Sequence, residues 1–147
     1  MSDEVLFVLL PQLKRVVVES VAVVGGVVVV TAHTRDGPAT CPDCGQVSDW
    51  VHSRYQRHVA DEAVGGQSLR IDLTVRRLYC ENPVCAKVTF AEQVEGLTVR
   101  YQRRTPALQA IVVAVATALA GKAVARLLLH LHQALSWASL LNPVFRT

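Results

Sequence analysis

The sequence pattern places this chain in the α+β class: a β hairpin near the N-terminus, a β module around four cysteines, then a small helical region. Three observations carry this. Valine-rich segments flank Gly25-Gly26; apolar and polar residues alternate from Leu69 to Arg76, just ahead of a cysteine pair; and from Thr105 the apolar spacing turns helical. With 147 residues, 51% of them hydrophobic, the chain can bury a core and is not of disordered composition.

Residues 5–13 leave helix and loop open, with a short helix ended or offset by Pro11 as one reading. Val16–Val24 and Val27–Thr34 are β-branched runs separated by two glycines. A two-residue hairpin turn requires positive φ at both central positions, which glycine adopts without steric cost. Continuous valine in place of alternation predicts burial on both faces, or a partner over one of them. Arg35-Asp36-Gly37-Pro38 reads as a turn, and Gly65-Gly66 as another. After the second, Leu69, Ile71, Leu73 and Val75 define one apolar face of a strand running to Cys80. Thr105 is placed to cap a helix whose first turn holds Pro106. That apolar run breaks at Gly121, a second helical stretch follows from Lys122 to His130, and Ser136 can cap a third over residues 137–141. This order is compatible with a helix-turn-helix or a plain helical hairpin. The expected regions are thus 1–40, 41–104 and 105–147.

The four cysteines stand as Cys41-Pro42-Asp43-Cys44 and Cys80-Glu81-Asn82-Pro83-Val84-Cys85. Two close pairs separated by a long insert suit one tetrahedral zinc ion, each pair supplying one edge. Gly45 follows the first pair, and its missing Cβ lets backbone N–H groups approach the thiolates. Two disulfides are the first alternative, but no secretory signal pattern precedes the cysteines, and reduced thiols are expected. A redox CxxC is the second, and it leaves Cys80 and Cys85 without a role. Four thiolates fill the coordination sphere, so the expected metal is structural Zn²⁺. His52 and His58 are then not needed as ligands.

The formal charge is +3, which falls to about +1 once four thiolates and a divalent ion are counted. Local clusters are more informative. Arg54-Tyr55-Gln56-Arg57 and Arg100-Tyr101-Gln102-Arg103 repeat one string, each downstream of a cysteine pair, with Arg104 after the second and Arg76-Arg77 before Cys80. Arginine forks and tyrosine faces are equipment for a nucleic-acid backbone. Solvated arginines paired with Asp61, Glu62, Glu92 and Glu95 explain the same pattern equally well. Arg54, Tyr55, Arg57, Arg76, Arg77, Arg100, Arg103 and Arg104 are the candidate DNA contacts.

No P-loop, HExxH motif or Ser-His-Asp arrangement is present, and no acid follows Glu95, so catalysis by this chain alone is not expected. The apolar run over residues 107–120 is too short to cross a bilayer and is expected to be a buried helix.

These residues together resemble the amino-terminal part of ISL3-family insertion-sequence transposases. The resemblance runs through Cys41-Pro42-Asp43-Cys44-Gly45, Val51-His52-Ser53-Arg54-Tyr55 with Arg57, and Val75-Arg76-Arg77-Leu78-Tyr79-Cys80. It continues through Asn82-Pro83 with Cys85, Thr89-Phe90-Ala91-Glu92 and Arg103-Arg104-Thr105. Leu119-Ala120-Gly121-Lys122 and Ser136-Trp137-Ala138-Ser139-Leu140-Leu141 match more loosely. It implies a zinc-binding domain and a helix-turn-helix that recognise the element's terminal inverted repeats. A DDE catalytic domain is expected to follow in the family, and none of its acids can be carried onto this chain. The implied partner is double-stranded DNA at element ends, with self-association or binding to intact transposase as further expectations. The implied location is the bacterial cytoplasm, at the nucleoid. A zinc-stabilised protein-interaction module and a non-functional remnant are the rival readings.

Overall fold

The computed structural model describes residues 3–119 and 122–131. Helix α1 (Asp3–Leu9) buries Leu6, and a 3-10 turn over Pro11–Arg15 buries Leu13. Strands β1 (Val16–Val24) and β2 (Val27–Thr34) form the hairpin expected at Gly25-Gly26, whose φ angles are 57° and 78°. Short strands β3 (Ala39–Thr40) and β4 (Val47–Ser48) pair across the first cysteine knuckle. A second, longer hairpin joins β5 (Val51–Val64) to β6 (Gln67–Tyr79) through Gly65-Gly66. Then come β7 (Thr89–Ala91), α2 (Pro106–Ala118) and α3 (Lys122–His130).

One sheet runs in the order β1-β2-β6-β5, with β7 also on β6. Strand β6 is its spine. Strand β5 covers one edge; on the other, β2 pairs in parallel from Ser68 to Thr74 and β7 antiparallel from Arg77 to Tyr79. Residues 1–40 and 41–104, distinct regions in the sequence reading, therefore share a sheet. They also share a core, in which Leu6, Leu13, Val16, Val30 and Ala32 meet Val59, Ile71, Leu73, Val75 and Leu97.

Burial within the valine hairpin is uneven. In β2, Val29, Val30 and Ala32 are buried, whereas Val17, Val21, Val23 and Val24 of β1 are exposed. Burial on both faces is thus not found for β1, because it is an edge strand pairing only with β2 among the described residues.

Thr105 caps α2 as expected, its hydroxyl accepting from the N–H of Leu108 at 3.3 Å. The same hydroxyl donates to Asp61 Oδ1 at 2.6 Å, and the other Asp61 oxygen accepts from Gln12 Nε2. Asp61, only 4% exposed, thereby joins the N-terminal segment, β5 and the start of α2. A carboxylate at this place also favours the positive end of the helix dipole. Leu108 and Val112 are buried, and α2 lies against β5. The apolar run is helical to Ala118, and only Leu108 and Val112 of that helix are buried, so the buried helix expected there is largely a surface one; no described helix is long and apolar enough to cross a membrane. The third helical stretch, at 137–141, lies outside the described residues.

Candidate metal centre and nucleic-acid interface

Two knuckles bring the cysteines together. In the first, Gly45 N–H donates to the Cys41 carbonyl at 2.9 Å, and Gly45 turns with φ 77°. In the second, Cys85 N–H donates to the Asn82 carbonyl at 3.1 Å, and Cys80 N–H to that of Val88 at 2.9 Å. Strand β6 delivers Cys80 directly, and a small apolar cluster of Leu78, Phe90 and Cys41 lies beneath. The four Sγ atoms all lie within 4.8 Å of one another. Cys41 and Cys85 are 4.0 Å apart and Cys44 and Cys80 3.6 Å. A Zn–S bond of about 2.3 Å gives a tetrahedral edge of about 3.8 Å, between those two values. A disulfide needs about 2.05 Å, and all four cysteines are free.

Charge makes the same point. The backbone N–H of Gln46 is the main influence bringing Cys44 down to about 7. The N–H of Asn82 acts likewise on Cys80, but burial and the crowding thiols of Cys44, Cys41 and Cys85 push Cys80 up to about 12. Cys85 has the N–H of Lys87 yet is also raised, by burial and by Cys44 and Cys41. In each case the donor is the N–H two residues on, as the knuckle turn provides. Cys44 ionises readily, whereas Cys80 and Cys85 resist. A central dication removes that resistance and lets all four bind as thiolates.

Residues 37–85 match the family model described as the zinc-finger of transposase IS204/IS1001/IS1096/IS1165. Over this third of the chain, the sequence is similar to the zinc ribbon of ISL3-type transposases. The match encloses all four cysteines and the β5–β6 hairpin between them, and the metal is structural Zn²⁺. No curated protein and no solved structure matches the chain. With four thiolates closing the coordination sphere, the zinc ribbon itself offers no open metal position for catalysis.

Beside the zinc ribbon's knuckles lies a groove of about 740 Å³, and its construction follows from strand parity. Register pairs Tyr55, Arg57 and Val59 of β5 with Val75, Leu73 and Ile71 of β6, so all six share a sheet face, and Arg77 follows two residues after Val75. Along that face, apolar Val59 and Ile71 give way to Tyr55, Arg57 and Arg77. The two repeated strings meet here: Arg57 Nη2 donates to the carbonyls of Val99 and Gln102, at 3.1 and 2.7 Å. Arg57 Nη1 also donates to Gln93 Oε1 at 3.2 Å. Residues 103–105 continue alongside β5, with Ala60 N–H donating to the Arg103 carbonyl and Thr105 N–H to that of Ala60. Lys87 and Pro42 extend the lining to the knuckles.

Arg57, Arg77, Lys87, Arg100 and Arg103 thus line one groove with Tyr55 and Tyr101, and no Asp or Glu is among its lining residues. Arg77 Cζ lies 6.0 Å from the centroid of the Tyr55 ring, and Arg100 Cζ 4.7 Å from that of Tyr101. His58 also lines the groove, its Nδ1 2.7 Å from Asp72 Oδ1, which Arg70 holds in turn. Burial opposes ionisation of Asp72, but Arg70 and His58 hold its carboxyl below the ordinary range.

The other candidate contacts lie elsewhere. Arg54 is exposed, but strand alternation puts it on the opposite face from Tyr55 and Arg57. Arg76 is 6% exposed and clamped by Glu92, through Nε at 2.9 Å and Nη2 at 2.8 Å, so its guanidinium faces protein. Arg104 is half-buried, donating to Gln109 Oε1 at 2.9 Å, and burial lowers its pKa. Sequence reasoning passed over Lys87, Tyr101 and His58 as contacts. Tyr101 was visible inside the second string, and Lys87 stands two residues past a cysteine, where a knuckle turn presents it.

Proposed function

We propose that this chain is the DNA-binding part of an ISL3-type transposase, holding DNA phosphates in the groove beside the zinc ribbon. The observation that carries this reading is the convergence of five cations on one concavity without a lining carboxylate. Solvated arginines paired with acids, the rival from sequence, would have brought acids to the same surface. Guanidinium forks suit phosphate, and although Lys87 shares its charge with Asp43 at 4.0 Å, no carboxylate lines the groove beside the four arginines. Zinc fixes the two knuckles and so sets Lys87 against the sheet-borne arginines. The specific ligand we infer is duplex at the element's terminal inverted repeats, with the chain acting in the bacterial cytoplasm at the nucleoid. The exposed valines of β1 favour a second role, pairing with another copy or with intact transposase.

Fluorescence anisotropy with a labelled duplex, repeated over a range of salt, tests the reading. Affinity should fall steeply with salt, and Arg77→Ala with Arg103→Ala should reduce the log–log slope by about two. Preference for an element-end sequence over a scrambled one tests the finer proposal. A salt slope identical in wild type and double variant would remove the groove as the binding surface.

A further inference from the structure

Resting on the reading of the groove as a DNA surface, we propose that it takes an unpaired stretch of strand, with bases stacking on Tyr55 and Tyr101. Shape is the first argument. Elements that read duplex enter its grooves and are therefore prominent, whereas here the cations line a hollow of about 740 Å³. A hollow lined by cations and aromatic faces is how proteins hold single strands: the charge follows the backbone and the rings receive bases.

The rings are the second argument. Tyr101 is 78% exposed, although its large apolar face gains nothing from water. Arg100 lies over it, its Cζ 4.7 Å from the ring centroid and its Nη2 donating to the Tyr101 hydroxyl at 2.8 Å. Tyr55, 37% exposed, has Arg77 over it at the longer distance of 6.0 Å, with Arg77 Nη1 turned to the Thr89 hydroxyl. Each pair offers a cation for a phosphate next to a ring for its base.

The third argument is the backbone beneath Tyr101. Gln102 N–H donates to the Val99 carbonyl at 3.0 Å, closing a tight turn with Tyr101 at its third position. Tyr101 has φ 64° there, the sole non-glycine residue with positive φ among the described residues. That position ordinarily belongs to glycine, and a bulky side chain in it is strained. A strained turn holding an exposed aromatic over a basic hollow is accounted for if that aromatic meets a ligand.

The zinc-loaded full chain should be titrated against a blunt duplex, the same duplex with a short single-stranded tail, and the tail alone. The tail should raise affinity at least about tenfold over the blunt duplex, in keeping with stacking of a base on an aromatic ring. Tyr101→Gly, which relieves the turn, and Tyr55→Leu should each remove most of that gain without lowering the melting temperature appreciably. Equal binding of blunt and tailed duplex, with Arg77→Ala weakening both, would overturn the unpaired-strand proposal and leave the DNA reading intact. A tail preference that survives both tyrosine variants would overturn it as well, since stacking would not be its cause. Failure of every probe to bind would remove the underlying DNA reading too.

Discussion

Replacing Glu92 with Gln keeps the side chain's shape and removes the charge that Arg76 faces. The two side chains are 7% and 8% exposed, so neither charge has water to fall back on. Arg76 places Nε and Nη2 on the carboxylate and Nη1 on the Gly37 carbonyl at 2.9 Å. Glu92 Oε1 also accepts from the Thr34 hydroxyl and from the Arg76 backbone N–H. In the Gln variant an amide oxygen can still accept, but an NH2 group then opposes Nη2 and the guanidinium stays buried without its counter-charge. Breaking one side of such a pair costs about 3–5 kcal/mol, and the retained acceptor puts this case near about 3. For a domain of this size that lowers the melting temperature by roughly 10 °C or more. Urea unfolding followed by far-UV circular dichroism reads the loss directly. Arg76→Met should cost as much, whereas the double change of Arg76→Met and Glu92→Leu should cost less than either alone, because no orphan charge remains. Acid adds an independent check. Burial works against ionisation of Glu92, yet Arg76 and Thr34 hold its pKa below the ordinary 4.5. Its stabilising contribution is therefore complete above that value and is lost as pH falls through the lower folded one. Glu92→Gln should flatten this acid limb. A loss under about 1 kcal/mol with an unchanged acid limb would refute the claim that the pair is buried and coupled.

Cys44→Ser should release zinc and unfold the ribbon, checked by metal content per chain and by the β signal in circular dichroism. Because Cys80 and Cys85 hold their protons above neutrality, zinc binding must displace them, and affinity should climb from roughly pH 6 to pH 8 in competition with a chelator. Thr105→Ala should cost about 1–2 kcal/mol, losing a helix cap and one of the two hydrogen bonds to Asp61 Oδ1, which keeps that from the Glu62 N–H, whereas Thr105→Ser should cost much less. Gly66→Val, at φ 74° in the β5–β6 turn, should cost about 1–2 kcal/mol, seen as a lower midpoint in urea.

Much of this was legible where the information is local. Paired glycines announced the first hairpin and the turn ahead of β6, since few other residues take positive φ twice running, but β5 on the other side of that turn went unread. The alternation from Leu69 to Val75 marked β6, and Thr105-Pro106 marked the start of α2. Cysteine spacing was enough for the metal, because a tetrahedral site imposes close pairs. Long-range consequences were harder. Parallel pairing of β2 with β6 joins segments some forty residues apart, which no local pattern encodes. Arg76 looked like a surface cation beside Arg77, and only tertiary packing brings Glu92 to it. Treating Arg54, Tyr55 and Arg57 as one patch ignored alternation along a strand, which sends Arg54 to the other face. The repeat of Arg-Tyr-Gln-Arg was noted without a reason; in the fold the two copies touch through Arg57.

The most direct test of the basic groove as the DNA surface is a titration of the isotopically labelled, zinc-loaded chain with duplex DNA, followed by amide chemical shifts. Perturbations should concentrate at residues 55–58, Arg77, Lys87 and residues 100–103, with β1 unaffected. Shifts confined to the exposed valines of β1, or spread evenly while the groove stays silent, would contradict it.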